Sequence, residues 1–570
     1  MSGHTPGTAP ELFNAADYLV HRRIAAGDGN RVALVHPGGE LSYRAVSEQV
    51  RAVAAGLAAL GVRAEERVMF FAADSPELVA GLLGAMHAGA VAVPVSTMLT
   101  AADLATLLAD SRARVLVTSV EFADTARAAV AELLAARPGG LSAEAGEPAA
   151  GPPPDLARVI TVGTTAEGFA VPGLSWSELL TAGAGTPAPG YPSWADSPAL
   201  WLYTSGTTGS PKAAMHRHVS VRFVCETYGR QVLGIRSDDR CFSVAKLFFA
   251  YGLGNSLFFP FSVGAAAVLE PRRPTPELVA EVVRRHRPTL FFGVPTFFSA
   301  LLASGTPDDT FASVRRGASA GEPLPATLFT RVRDRFGFEV LDGIGSTEAL
   351  HIFLSNVPGA VRPGSTGVPV PGYAVQLRDE TDGSVVTQAD TPAALYVSGE
   401  SVASGYWCRA ETTRRAFQGE WLRTGDTYRR NADGTYSYLG RSDDMIKAGG
   451  IWVSPSEVEA RLLEHPEVVE VAVVGVPDEA GLDKPVAAVV TRPGAAVRED
   501  DLVEFCRAGL AAFKRPRRVL LVDALPKTAT GKLQRYLVRA SLSGAVVSGA
   551  VVSGAVVSGP VASGAEVSGR

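Results

Sequence analysis

What most constrains this chain is a repeated exchange between helical apolar periodicity and short valine-rich runs. VSEQVRAVAAGLAALGV spaces its apolar residues as a helix does and closes near Gly61, and GAVAVPVS, from Gly89, reads as a buried strand. ADLATLLADSRARVLVTS passes from helix to strand again, and GAAAVLE, PTLFFGV and FEVLDGIG supply further strands at helix exits. Such alternation predicts an α/β fold with largely parallel sheets. The stretch Leu141–Trp194, rich in Ala, Gly and Pro, reads as a surface excursion with some local structure.

The pattern changes near Tyr438. YLGRSDDMIKAGGIWVSPSEVEARLLEH packs charges, a glycine pair and a new amphipathic helix into one run. VVEVAVVGVPD and PVAAVVTRP follow as short strands, EDDLVEFCRAGLAAF as a helix and RRVLLVDALP as a strand. This predicts a compact α+β unit of roughly 100 residues joined to a larger one. The boundaries expected are 1–441, 442–540 and a low-complexity tail over 541–570, where SGAVV recurs with a period that fits neither a helix nor a strand face.

The 570 residues are 46% hydrophobic, enough for several domains or subdomains. A net charge of −5 leaves no basic footprint for nucleic acid. No run approaches the ~20 apolar residues that a membrane helix needs, and the N-terminus lacks the basic start and apolar run of a signal peptide. The four cysteines form no CxxC, which fits free thiols in a reducing cytoplasm. The nine histidines are scattered, and no pair has metal-ligand spacing.

One stretch is equipped to hold an anion. YTSGTTGSPKAAMH, Tyr203–His216, offers the hydroxyls of Thr204, Ser205, Thr207 and Thr208, bare amides at Gly206 and Gly209, and the charge of Lys212. It lacks the GK[ST] ending of a Walker A loop, and alone it reads equally well as a solvated loop. Three later runs bear on that choice. DGIGSTEALHIF places Thr347 and Glu348 just after a strand, where a carboxylate can hold Mg2+ beside phosphate. WLRTGD reads as a turn ending in Asp426, able to accept from ribose hydroxyls. PKTATGKLQR is a Gly/Thr loop around Lys532.

Together these runs resemble the adenylate-forming superfamily of acyl-CoA synthetases, adenylation domains and luciferases, from about Glu11 to Arg539. ELFNAADYLVHRRI, KLFFAYGLGNSLFFPF, FFGVPTFFSALL and DGIGSTEALHIFLSN look like benzoate-CoA ligases and near aryl-CoA ligases. The resemblance implies a large N-terminal region of parallel sheets with a distorted barrel, and a small mobile α+β lid hinged at Asp443. It implies activation of an aryl carboxylic acid by ATP with Mg2+, followed by thioester formation with CoA. By the same resemblance Thr204–Gly209 and Lys212 close over the β- and γ-phosphates, Thr347 meets the α-phosphate and Glu348 the Mg2+. Gly321, Glu322 and Asp342 line adenine, Asp426 and Arg441 lie at the ribose, and Lys532 bridges carboxylate and α-phosphate. Phe249, Ala250, Tyr251, Gly345, His351 and Ile352 surround the ring. Lys447, Gly449, Gly450 and Trp452 form the thiol tunnel of the second step.

Burying a phenyl ring contributes on the order of 2–3 kcal/mol, while an apolar pocket rejects an added hydroxyl only about 100-fold. An acyl carrier protein as thiol acceptor is an alternative to CoA, and a non-catalytic nucleotide-binding protein is a second. SPKAAMH departs from the family in having Ala213 where glycine is usual, which would strain the loop at positive φ.

Overall fold

The computed structural model describes residues 11–135, 155–163, 166–205, 211–448, 451–478, 483–527 and 533–548. The chain divides into two units, Met1–Tyr438 and Leu439–Arg570.

Two large sheets organise the described part of the first unit. One has seven strands in the order Gly173–Ser175, Arg158–Val162, Val115–Ser119, Arg67–Phe71, Val91–Pro94, Pro198–Ser205, Pro211–Arg217. All neighbours are parallel except the last pair, an antiparallel hairpin. Every residue of Val115–Ser119 is buried, as expected of a parallel strand covered on both faces. The helix Ala101–Ser111 shows how such cover is built. Thr100 and Asp103 close a reciprocal capping box, and Leu104, Leu107 and Leu108 turn one stripe inward. Replacing Thr100 by Ala would cost about 1 kcal/mol.

The stretch expected to be a surface excursion instead supplies two strands of this sheet. Arg158–Val162 pairs on both sides, and Val159, Ile160 and Leu179 are fully buried. The Ala/Gly/Pro bias of its neighbours conceals a run of four β-branched residues, Val159–Val162.

The second sheet has nine strands: Val368–Pro369, Ile352–Ser355, Val340–Gly345, Arg316–Ser319, Leu290–Gly293, Arg240–Ser243, Ala266–Val268, Val32–His36, Gly39–Ser42. From Val340–Gly345 to Val32–His36 it is parallel. Where a barrel was expected, Ala374–Arg378, Ala393–Ser398, Trp421–Arg430, Phe417–Gln418 and Tyr436–Arg441 form a five-stranded sheet.

The second unit packs Val468–Pro477, Asp483–Thr491 and Arg518–Leu521 against the helices Pro455–Leu463, Glu499–Arg507 and Arg535–Ser548. Arg535 anchors the last helix by two bonds to Glu459, at 2.5 and 3.0 Å, and lies 3.5 Å from Asp444. This helix runs into the first SGAVV repeat, against the expectation of a tail from 541. The cause is Leu542, which is buried with Val538 against Val474, Val486 and Leu520. Among the described residues no helix is long and apolar enough to cross a membrane.

Candidate active site

Arg240–Ser243, Leu290–Gly293, Arg316–Ser319 and Val340–Gly345 are parallel neighbours, so the segments after them open on one carboxyl edge. Open α/β sheets bind ligands along such edges. Here the edge collects Phe249–Tyr251, Gly321–Glu322 and the segment Gly345–Ile352.

The hairpin Pro198–Ser205/Pro211–Arg217 sets Thr204 opposite Lys212. Lys212 Nζ lies 5.1 Å over the ring of Tyr406 and makes no ion pair among the described residues. The Tyr406 hydroxyl donates to Glu348 Oε1 at 2.7 Å, and the Ala403 amide donates to the Glu348 carbonyl at 2.8 Å. His216 Nε2 bonds the Thr347 carbonyl at 2.7 Å. Burial holds the His216 imidazole down, at about 4, so it is neutral at pH 7 and donates. Asp110 fixes the frame, accepting from the Tyr203 hydroxyl at 2.8 Å and from Arg409 at 2.6 Å. Lys212, Glu348 and Thr347 are thus brought together as expected. Tyr406 and His216 were missed. His216 ends the hydroxyl-rich run itself, whereas Tyr406 gave no signal in sequence. Ala213 carries no strain: it is fully buried in the hairpin opposite Tyr203, and its φ is not positive.

The acyl-side residues form a box of rings. His351 stands 5.5 Å from Tyr251, 5.2 Å from Tyr228 and 4.6 Å from Phe259, centroid to centroid. Ile352 is buried and pairs with Gly345, while Ala250 and Tyr251 are half-buried. Phe249 precedes the turn Ala250–Leu253 and packs on Phe248, with ring centroids 4.5 Å apart. Gly254 lets the backbone approach: a Cβ there would stand 2.3 Å from His351 Cδ2. Burial drives the His351 imidazole down to about 3. Both of its nitrogens, the Tyr228 and Tyr251 hydroxyls and the Asn255 amide lack hydrogen-bond partners among the described residues. Tyr228 and Asn255, not singled out in the sequence, sit in two wide π-helical turns, Cys225–Val232 and Gly254–Phe258.

Of the residues expected at adenine, Asp342 pairs in register with Ser319, and Asp342 Oδ1 and Ser319 Oγ are buried without a hydrogen-bond partner among the described residues. Burial raises the Asp342 carboxyl well above the usual range, against two backbone amides that lower it. Gly321 has φ +90°, and Glu322 accepts from the Thr296 amide at 3.3 Å. Asp426 is buried, but in the strand Trp421–Arg430 rather than in the turn expected, because Gly425, at φ +75°, kinks the strand without ending it.

Arg441 is exposed in the second unit. Gly206, Thr207, Thr208, Gly209, Gly449, Gly450 and Lys532 lie outside the described residues. For Ser205, Asp443, Lys447 and Trp452 only the backbone is described.

Residues 21–407 match the family described as AMP-binding enzyme, and residues 457–532 match the AMP-binding enzyme C-terminal domain. A benzoate–CoA ligase of Thauera aromatica is 42% identical over 537 residues, 93% of this chain and 97% of the relative. The crystal structure of a benzoate CoA ligase from Burkholderia xenovorans superposes with TM-score 0.81 at 40% identity, covering 93% of this chain and all of that one (100%). The anthranilate CoA ligase AuaEII in complex with anthranoyl-AMP gives TM-score 0.85 at 37% identity, over 95% and 99% of the two chains.

Proposed function

Because the chain belongs to the AMP-binding enzyme family, we propose that it activates an aryl carboxylic acid, benzoate first, with ATP and passes the acyl group to CoA. The observation that carries this reading is the single segment Gly345–Ile352. It holds ring-box residues at one end and, a few positions earlier, Thr347 and the Glu348 that Tyr406 links to Lys212. The relatives named benzoate–CoA ligase support the choice of acid.

The ring slot is uncharged, since burial keeps His351 neutral. The slot therefore offers the substrate carboxylate no cation, and the carboxylate turns outward, toward Thr347 and the ammonium of Lys212. A carboxylate oxygen attacks the α-phosphorus, the bond to the β-phosphate oxygen breaks, and pyrophosphate leaves. In the second step the CoA sulfur attacks the acyl carbon and AMP departs. Lys212 and the hydroxyls of the Thr204–Thr208 loop balance charge on the leaving phosphates, and Thr347 orients the α-phosphate. Asp426 holds the ribose, while Gly321, Glu322 and Asp342 bound the adenine. Glu348 fits a Mg2+ site, since Oε1 is fixed by Tyr406 and Oε2 takes no hydrogen bond among the described residues. The ion, when bound, neutralises phosphate charge beside that carboxylate. Lys532 is assigned to the first step, and Lys447, Gly449, Gly450 and Trp452 to the second, with Asp443 as the pivot between them and Arg441 at the ribose.

Release of AMP and pyrophosphate, followed with benzoate, ring-hydroxylated benzoates and short aliphatic acids, tests this. Benzoate should drive turnover and yield benzoyl-CoA by mass spectrometry. ATP consumption that ignores the aryl acid, or AMP release with CoA present and no thioester, would overturn it.

A further inference from the structure

Asp17, His21 and His87 meet on the wall of a cavity of about 1350 Å³ that shares no lining residue with the site above. The one-turn helix Asp17–His21 carries the first two, and the helix Pro76–His87 ends in the third. Asp17 Oδ1 is 3.1 Å from His87 Nδ1 and 3.8 Å from His21 Nε2, and one ligand atom from each residue lies within 4.8 Å of the other two. Metal–nitrogen bonds of about 2.0–2.1 Å in tetrahedral geometry set ligand atoms ~3.3 Å apart. The two shorter edges depart from that by about half an ångström or less, and the third stays within 4.8 Å.

The outer ring nitrogens are arranged as metal-binding imidazoles require. His87 Nε2 faces the Ala188 carbonyl at 3.0 Å, and His21 Nδ1 faces Ser47 Oγ at 2.8 Å. Among the described residues, His21 Nε2 is buried without a hydrogen-bond partner. His87 poses a sharper problem. It lies between two acceptors, the Ala188 carbonyl and the Asp17 carboxylate, and a neutral ring donates only once. A cation between His87 Nδ1 and Asp17 Oδ1 removes the conflict, as does a second proton on the ring.

We propose that Asp17, His21 and His87 bind a divalent cation of the zinc class, with the remaining coordination position open to the cavity. Two imidazoles and one carboxylate select a borderline transition metal over Mg2+ or Ca2+. Of the nearby cationic groups, Arg222 is paired with Glu11 and Arg22 stacks on Tyr18. Arg51 opposes the cation and favours an anionic fourth ligand. Sequence spacing missed the pair because His21 and His87 belong to different helices.

The test uses the full chain without an affinity tag, dialysed against Zn2+ and then metal-free buffer, with zinc counted by mass spectrometry. One zinc per chain should remain, with a raised melting temperature, and Co2+ in its place should give visible d–d absorption. Asp17→Asn and His21→Gln should weaken retention by roughly 100-fold or more, beyond the 10–100-fold loss typical of supporting residues. Both variants should melt as the metal-free parent does and keep its acid-dependent AMP release. No retained zinc, or equal retention by His21→Gln, would overturn the proposal.

Discussion

Around Glu348 most polar groups answer one another, His216 Nδ1 being the exception among the described residues, whereas around His351 they do not. Tyr406 donates to Glu348, His216 to the Thr347 carbonyl, and Asp110 pins the strand and loop that carry them. A few residues along the same segment stands His351, which with Tyr251, Tyr228 and Asn255 from other turns buries nitrogen and oxygen atoms with no partner among the described residues. Each such atom costs on the order of 1–3 kcal/mol. On the proposed reading, the reacting end is organised before substrate arrives, and the recognising end holds unmet polarity inside a box of rings.

Four changes would break or sharpen that contrast. The largest effect is expected at the organised end. Glu348→Gln should lower kcat for AMP release by roughly 10²–10³-fold, the loss typical of one preorganised electrostatic group, with an unchanged melting curve. A parallel fall in melting temperature would make Glu348 structural. At the other end, Ala250→Leu crowds a half-buried site packed on the core. Overpacking costs about 1–3 kcal/mol, so benzoate kcat/KM should fall roughly 5- to 150-fold, and a smaller acid should suffer less. Equal losses for both acids would remove Ala250 from the ring box.

Acid is the third probe. Burial holds the imidazoles of His216 and His218 at about 4 and that of His351 at about 3. The unfolded chain therefore takes up these protons first, and their contribution, complete above the unfolded value of ~6.5, is lost as pH falls toward 4. Asp74, raised to about 6 by burial, and Asp342 act in the opposite sense, their share being lost as pH rises. The net loss between pH 7 and 5 should be ~1–3 kcal/mol, read from denaturant midpoints. A His351 proton resonance that titrates near pH 6.5 would place that ring in water and dissolve the contrast.

The smallest effect is the most pointed. Asn255→Leu replaces an unpartnered buried amide by an apolar group of similar shape, so stability should rise by about 1–2 kcal/mol in thermal melts. A loss of that size would show that the amide has a partner after all.

Much of the frame was legible because helix and strand periods differ, while the expectation of an anion-holding run rests on residue type. What stayed hidden depends on pairing across sequence distance. Tyr406 reaches Glu348 only because Ser404–Trp407 bonds alongside the strand Pro211–Arg217. Asp426 was misread as a turn residue, since a glycine at positive φ can bend a strand as well as end it. Leu542 fell inside the expected tail because it directly precedes the repeat, and a five-residue period says nothing about the side chain beside it that meets a core.

The segment Gly345–Ile352 has a consequence for how such a protein can change over generations. On the proposed reading it is shared property: its last residues shape what is recognised, and its middle residues meet the reacting phosphorus. A substitution that reshapes the His351 wall is transmitted along a few bonds to Thr347, so new specificity won there risks the rate. The facing turn, Ala250–Leu253, carries no residue assigned to the phosphates. Variation is free to accumulate on that side, and descendants with new acids should differ first at Ala250 while keeping Thr347 and Glu348.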